Sequence, residues 1–346
     1  MALRTDRSEN RGGGARTGAG AGSALRGRLG SLWPRVDPDQ GDPDLARLRA
    51  AAEAADWPAL LDGLSAVEDG PDRTWLIAVV TDRRGMQEWL PAAVVARPES
   101  ALPLLVSGAR LVSWAWEART GARARDVSAE QFKVFHQRLR DAEEQLYEVA
   151  EREPGWLAPW YFLQISGRGL QVGPETALAR FEAAVRRCPD HLGSHQQRLQ
   201  QLCRKWGGSH EEMHAFARSS MLSSAPGSPL GTLVATAHLE EWLDRCDGEG
   251  DAAAGRYMHR PDVVAQLHEA AEHSVLHPDY PWPRSWAGNF NTFAMAFALA
   301  GEKAAASRMF KILGGTVTEF PWQYAGGMPS MVFRAWRARS RTWSRS

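Results

Sequence analysis

With 346 residues the chain is long enough to bury a sizeable core, and its 41 Lys and Arg balance its 41 Asp and Glu, so net charge selects no class of partner. Three cysteines, Cys188, Cys203 and Cys246, none in a C-x-x-C, exclude a disulfide scaffold and read as reduced thiols of a cytoplasmic protein. The absence of any run of 18 apolar residues, or of an apolar stretch behind the N-terminal arginines, argues against membrane insertion and a secretory signal.

Charge is segregated along the chain. Residues 1–36 hold seven Arg against Asp6 and Glu9, a net +5, and residues 334–346 hold five Arg and no acid, again +5, so the segment between carries −10. Residues 1–40 are mostly Gly, Ala, Arg and Ser and bury too little apolar surface to offset chain entropy; a disordered basic arm is expected there.

Helices are predicted from about Asp44. Leu45, Leu48 and Ala52 share one face, and Asp56-Trp57-Pro58 opens a second helix with proline in its permitted first turn. Two more follow over 71–81 and 85–97, the latter kinked or shortened by Pro91. A helix over 99–119 leads through a Gly/Arg/Ala loop to one capped by Ser128, with Gln131 as its capping-box partner. There Phe132, Phe135, Leu139, Ala142, Leu146 and Val149 form one apolar stripe, ended by Pro154-Gly155.

The next unit has a first helix from about Trp156 to Gly169, a turn at Gly173-Pro174, and a second helix with Leu178, Phe181 and Val185 as its inner face, closed by Pro189-Asp190. Helices over 191–206 and 210–224 meet at Gly207-Gly208-Ser209. Helices over 230–244 and 261–277 flank an acidic, Gly/Ala-rich insert from Asp247 to Gly255. Helices over 285–300 and 302–313 meet at Gly301, and Thr316 to Trp322 reads as a short extended segment lying on the last pair. Almost nothing alternates as a strand does, so the class is all-α.

Pro154, Pro189 and Pro226 close helices at intervals of 35 and 37 residues, and Pro278 follows after the insert. That period is the span of one helix pair with its connectors, and it predicts an α-solenoid. Ala177, Phe181, Ala184 and Pro189 reproduce the second-helix pattern of the tetratricopeptide family, which the chain resembles. Ala142, Leu146, Val149 and Pro154 follow the pattern loosely, Ala306, Phe310 and Leu313 keep its spacing without the closing proline, and Ile165 stands where the family usually has Gly. The run Cys203 to Arg218 is also similar to segments of uncharacterised actinobacterial helical proteins, a likeness extending over residues 100–325.

The tetratricopeptide resemblance implies a right-handed α-solenoid of stacked antiparallel helix pairs over residues 41–325, with 41–98 either continuing the stack or capping it and 326–346 a flexible basic tail. It also implies a protein–protein interaction or scaffold module that binds a peptide or partner domain in a concave groove. The first helix of each pair usually lines that groove, which nominates Trp160, Gln164 and Arg168, then His195, Arg198 and Gln201, each trio on one stripe.

Two alternatives come from local motifs. His210-Glu211-Glu212-Met213-His214 is an H-E-x-x-H, the arrangement by which His210 and His214 bind zinc with Glu211 as general base of a hydrolase. Against it, Ser209 and Glu212 read as a helix cap, and no clean third ligand follows. Two further i, i+4 pairs, His191/His195 and His273/His277, read as partly exposed helix histidines. The run Arg334 to Trp343 interleaves basic and aromatic residues, so any nucleic-acid contact is expected only through the tails. Fifteen tryptophans either line a peptide groove or seal irregular helix contacts. No nucleotide-binding glycine motif and no G-x-S-x-G is present, and no cofactor is expected.

Overall fold

Local capping chemistry sets where the helices begin. In the computed structural model, which describes residues 35–119 and 127–341, Asp42 accepts the backbone N–H groups of Asp44 and Leu45 at 2.9 Å each and starts helix α1 (Pro43–Glu53). The basic arm through residue 34, the loop 120–126 and the residues from 342 onward lie outside the described residues. Asp56 caps α2 (Trp57–Ser65), and Pro71 stands in the first turn of α3 (Pro71–Thr81). The helix predicted over 85–97 is divided: Met86–Glu88 form a 3₁₀ turn and α4 (Leu90–Ala96) restarts with Pro91 in its first turn, where a missing N–H costs nothing.

Helix α5 (Ala101–Arg119) packs along α6 (Ala129–Arg152). Both bonds of the α6 capping box are present, Ser128 N to Gln131 Oε1 at 3.0 Å and Gln131 N to Ser128 Oγ at 3.2 Å. The predicted stripe is buried from Phe135 to Val149, and only Phe132 remains half-buried. Next come α7 (Ala158–Leu170), α8 (Pro174–Arg187), α9 (Leu192–Leu202), α10 (His210–Ser223), α11 (Thr232–Glu249), α12 (Asp251–Met258), α13 (Pro261–His273), α14 (Trp286–Leu299), α15 (Lys303–Leu313) and α16 (Pro329–Arg339). Among the described residues the chain is thus all-helical apart from two two-residue strands.

Neighbours in sequence are neighbours in space: α5 packs on α6, α7 on α8, α9 on α10, α11 on α12 and α14 on α15. The first members of these pairs also touch in file, α5 with α7, α7 with α9, α9 with α11 and α11 with α14. Apolar residues form two clusters, one from Leu45 to Leu163 and one from Leu192 to Phe333. Each fully buried Leu in them contributes about 1.5–3 kcal/mol.

Four expectations are corrected. The inner face of α8 is Ala177, Arg180, Ala183 and Ala184, while Leu178 is 41% exposed. Arg180 is drawn inward by Glu143 (Nη1 to Oε1 2.7 Å, Nη2 to Oε2 3.0 Å), the Leu163 carbonyl at 2.7 Å and the Tyr147 hydroxyl at 2.9 Å. The Asp247–Gly255 insert is mostly helix, ending α11 and beginning α12, because Ala254, Tyr257 and Met258 find apolar cover. The C-terminal tail is helical through Arg339, since Phe333 is fully buried against Phe310 and Trp322. Finally, Arg35–Val36 belong to no disordered arm: they form β1, paired in parallel with β2 (Thr316–Val317), Arg35 opposite Thr316 and Val36 opposite Val317.

This pairing joins the start of the described chain to its last helices. Arg284 reinforces it, bonding Asp42 at 2.5 Å and Asp44 at 2.6 Å and lying 3.4 Å from Asp72. None of the described helices is long and apolar enough to cross a membrane.

Candidate functional site

Where the two ends meet lies a cavity of about 850 Å³, open to solvent on one side. One wall is α3, whose Thr74, Trp75, Ala78, Val79 and Asp82 recur at helical spacing on the face opposite Leu76, Ile77 and Val80 of the core. Tyr161 of α7, the start of α9 (Asp190, His191, Gln196) and the start of α14 (Gly288, Asn289, Thr292) supply further wall. Val36, Asp37 and the segment Thr318–Phe320 close it beside the β1–β2 pair.

His191 caps α9. Its Nδ1 lies 2.8 Å from Ser194 Oγ and accepts the Ser194 N–H at 3.3 Å, which leaves the ring proton of the neutral imidazole on Nε2. Burial, then the neighbouring His195, push its pKa down to about 3, so the ring is neutral at physiological pH. The Tyr161 ring meets it edge-on at 5.6 Å, and burial raises the Tyr161 hydroxyl above its ordinary value. A Cβ on Gly193 would stand 3.1 Å from both rings, so a small residue there keeps the pair together.

Asn289 is buried and donates Nδ2 to the Tyr280 hydroxyl at 2.8 Å; burial pushes the Tyr280 phenol up to about 12. Thr74 is 1% exposed, and its Oγ1, buried within the wall, has no hydrogen-bond partner among the described residues. A side chain grown from Gly288 would meet nothing within 4 Å at its Cβ. Six carboxylates line the cavity, Asp37, Asp72, Asp82, Asp190, Asp279 and Glu319, against the single cation Arg49, which is itself paired with Asp39 at 3.0 Å.

None of the six groove residues nominated from sequence lines this cavity. Trp160 packs edge-on to Tyr147 at 6.4 Å under the Arg187 guanidinium at 5.0 Å. Gln164 is fully buried, and its carbonyl accepts from Gln201 Nε2 at 3.4 Å. Arg168 bonds Gln197 at 2.7 Å against the rings of Trp116 and Trp206; burial lowers it to about 10. His195 lies between Phe181 and Phe216, and half-buried Arg198 reaches Gln201 at 3.5 Å. The structure therefore brings Gln164 and Gln201 together, and likewise Arg198 and Gln201, at a seam between helices. Their immediate neighbours Tyr161 and Gln196 face the cavity instead. One residue on a helix is about 100° of rotation, and the sequence holds no signal for which face the next pair would cover.

The H-E-x-x-H run starts α10 with Ser209 as its cap, Glu212 N to Ser209 Oγ at 3.1 Å. His214 Nε2 lies 2.7 Å from Glu241 Oε2, and His210 Nε2 lies 3.0 Å from Asp244 Oδ2, while Glu211 is exposed. Burial raises the Glu241 carboxyl, but hydrogen bonds from His214 and Arg245 outweigh it and hold the group down at about 2. Among the described residues, no group of three or more His, Cys, Asp and Glu is arranged to hold a metal ion. Of the fifteen tryptophans, Trp322 is a seal, fully buried with Nε1 on Asn291 Oδ1 at 2.6 Å.

Comparison with family models, with curated proteins and with solved structures finds no match to this chain.

Proposed function

We propose that the protein is a protein–protein interaction module, a tetratricopeptide-like stack of helix pairs that takes a peptide, or an extended segment of a partner domain, into its central cavity. The observation that carries this reading is the cavity itself. Its volume of about 850 Å³ falls within the roughly 300–1,000 Å³ of ligand sites, and His191 Nε2 on its wall has no partner among the described residues. The pairwise packing of neighbouring helices, with first helices in file, supports the solenoid description. Cytoplasmic residence belongs to the same proposal and is supported by the three free thiols.

Gly288→Trp projects an indole into the cavity without a clash at its Cβ. Selection from a displayed library of random peptides is expected to enrich sequences with the native chain and to lose them with this variant. Enrichment of the same peptides by both proteins would refute the reading.

A further inference from the structure

The cavity wall is electrically one-sided. Asp82, Asp190 and Glu319 are exposed along it with no ion pair among the described residues, Asp279 has only His277 at 3.7 Å, and Arg49 is held by Asp39 outside it. Helix starts on the same wall, those of α3, α9 and α14, bring partial positive charge, but each amounts to about half a unit against a full unit per carboxylate. The balance is negative.

A second observation is independent of charge. Trp57, Trp114, Trp156 and Trp160 each carry an arginine guanidinium over the ring, at 5.4, 3.3, 4.2 and 5.0 Å. Trp75, half-buried on the cavity wall where it packs against the first apolar cluster, has no cation and no ring against it among the described residues. A ring face beside unpaired carboxylates is the environment that attracts an ammonium or guanidinium group. The third is unspent hydrogen-bonding capacity on the wall, in a residue more than nine-tenths buried. His191, 6% exposed, has its Nδ1 engaged and an Nε2–H to donate, for which the described residues supply no acceptor. The buried amide of Asn289, anchored to Tyr280, stands on the same wall. Amide-binding groups deep in a site with carboxylates and a bare tryptophan fit a polypeptide better than a free polyamine, which has no carbonyl to accept from His191.

Resting on the peptide-binding reading, we infer that the cavity recognises a basic segment of a partner protein, with an arginine or lysine side chain entering between the carboxylates and the Trp75 ring. His191 donates to a backbone carbonyl of the bound segment, and the acidic wall steers it in and rejects acidic sequences.

The test uses the full chain and three fluorescein-labelled peptides: alternating arginine and leucine, the same with glutamine for arginine, and the same with glutamate. Binding is read by anisotropy at about 0.15 M salt. The arginine peptide is expected to bind at least about tenfold more tightly than the other two, and the double variant Asp190→Asn/Glu319→Gln to weaken it by about tenfold. Both acids are exposed, so this variant keeps the fold. Gly288→Trp is expected to abolish binding. If the glutamine or glutamate peptide binds as tightly as the arginine peptide, and Gly288→Trp still abolishes it, the cavity binds peptides but the charge inference fails. Arginine-peptide binding that survives Gly288→Trp, or is unmoved by the double variant, places the contact elsewhere and overturns the inference. If no peptide binds, both this inference and the peptide-binding reading fall.

Discussion

Arg284 Nη2 donates to Asp44 Oδ2 at 2.6 Å across 240 residues of sequence. The same guanidinium bonds Asp42 at 2.5 Å and lies 3.4 Å from Asp72, so one cation holds three carboxylates from the first and third helices. Asp42 thereby has two tasks, since its other oxygen caps α1. With the β1–β2 pair, this contact turns an open file of helices into one whose ends meet around a cavity.

Arg284→Ala is expected to lower stability by about 1–3 kcal/mol, because three neighbouring acids lose their counter-charge while solvent screens part of the loss. Hydrogen exchange should rise at the β1 and β2 amides before it rises in the α5–α6 pair. Arg284→Lys should recover less than half, since a single ammonium cannot present a fork to several carboxylates. Unfolding in urea with exchange mass spectrometry measures both effects. Equal exchange at β1 in the native chain and Arg284→Ala would show that closure does not depend on this residue.

A second ion pair is buried. Arg180 is 4% exposed and satisfies both oxygens of Glu143. Arg180→Ala leaves that carboxylate between α6 and α7 without its partner and is expected to cost about 3–5 kcal/mol. Replacing both, Arg180→Met with Glu143→Leu, should be near neutral, because two apolar chains need no partner. Chemical denaturation of the single and double variants checks this. Equal loss in both would show that shape, and not the orphaned charge, sets the cost.

Arg180 also shows where sequence reading stops. The stripe on α6 was legible because six apolar residues repeat at helical spacing, and the caps at Asp56, Ser128 and Ser209 were legible because a side-chain oxygen there meets an exposed N–H. On α8 the same logic nominates Leu178, Phe181 and Val185. What decides the face is a tertiary fact, the carboxylate of Glu143 waiting 37 positions earlier in the chain. The cavity was illegible for a related reason. Its wall combines α3, α7, α9 and α14 with residues near both ends of the described chain, which meet through tertiary contacts such as the β1–β2 pair and Arg284. Two-residue strands carry too little alternation to be seen in a sequence.

Close helix approach is legible only in part. The tetratricopeptide pattern places its small first-helix residue at Ile165, yet α7 has no room for a side chain against α6 at Gly169, where a Cβ would lie 2.5 Å from Leu139 Cδ1 and 2.7 Å from Phe135 Cζ. Gly169→Ala is therefore expected to destabilise by about 1–3 kcal/mol despite the better helix propensity of alanine. Gly288→Ala, whose Cβ meets nothing, should instead stabilise by up to about 1 kcal/mol. Thermal unfolding of the two variants side by side reads the contrast, and a gain at both sites would mean that α6 and α7 are less tightly apposed than described.

Two histidines make stability depend on pH. Burial, then His195, pushes His191 down to about 3, and burial, then His214, does the same to His238, whose Nε2 donates to Gln266 while Nδ1 accepts from Tyr257. Each folded pKa lies below the ordinary 6.5, so below that pH the unfolded chain takes up a proton that the folded chain refuses. Stability from these groups is thus complete above about pH 6.5 and drains away as pH falls toward 3. At pH 5.5 the loss relative to pH 7.5 is about 1.4 kcal/mol for each ring. Glu241, held at about 2, adds a loss of the same sign only below its ordinary value of 4.5, outside this interval. Urea midpoints at pH 7.5 and 5.5 should therefore separate clearly for the native chain. His191→Asn and His238→Gln should each remove part of the separation, whatever each costs in absolute stability, because neither amide titrates; His195, also lowered by burial, keeps a remainder of the same sign. A separation undiminished in the double variant would assign the pH dependence to other groups.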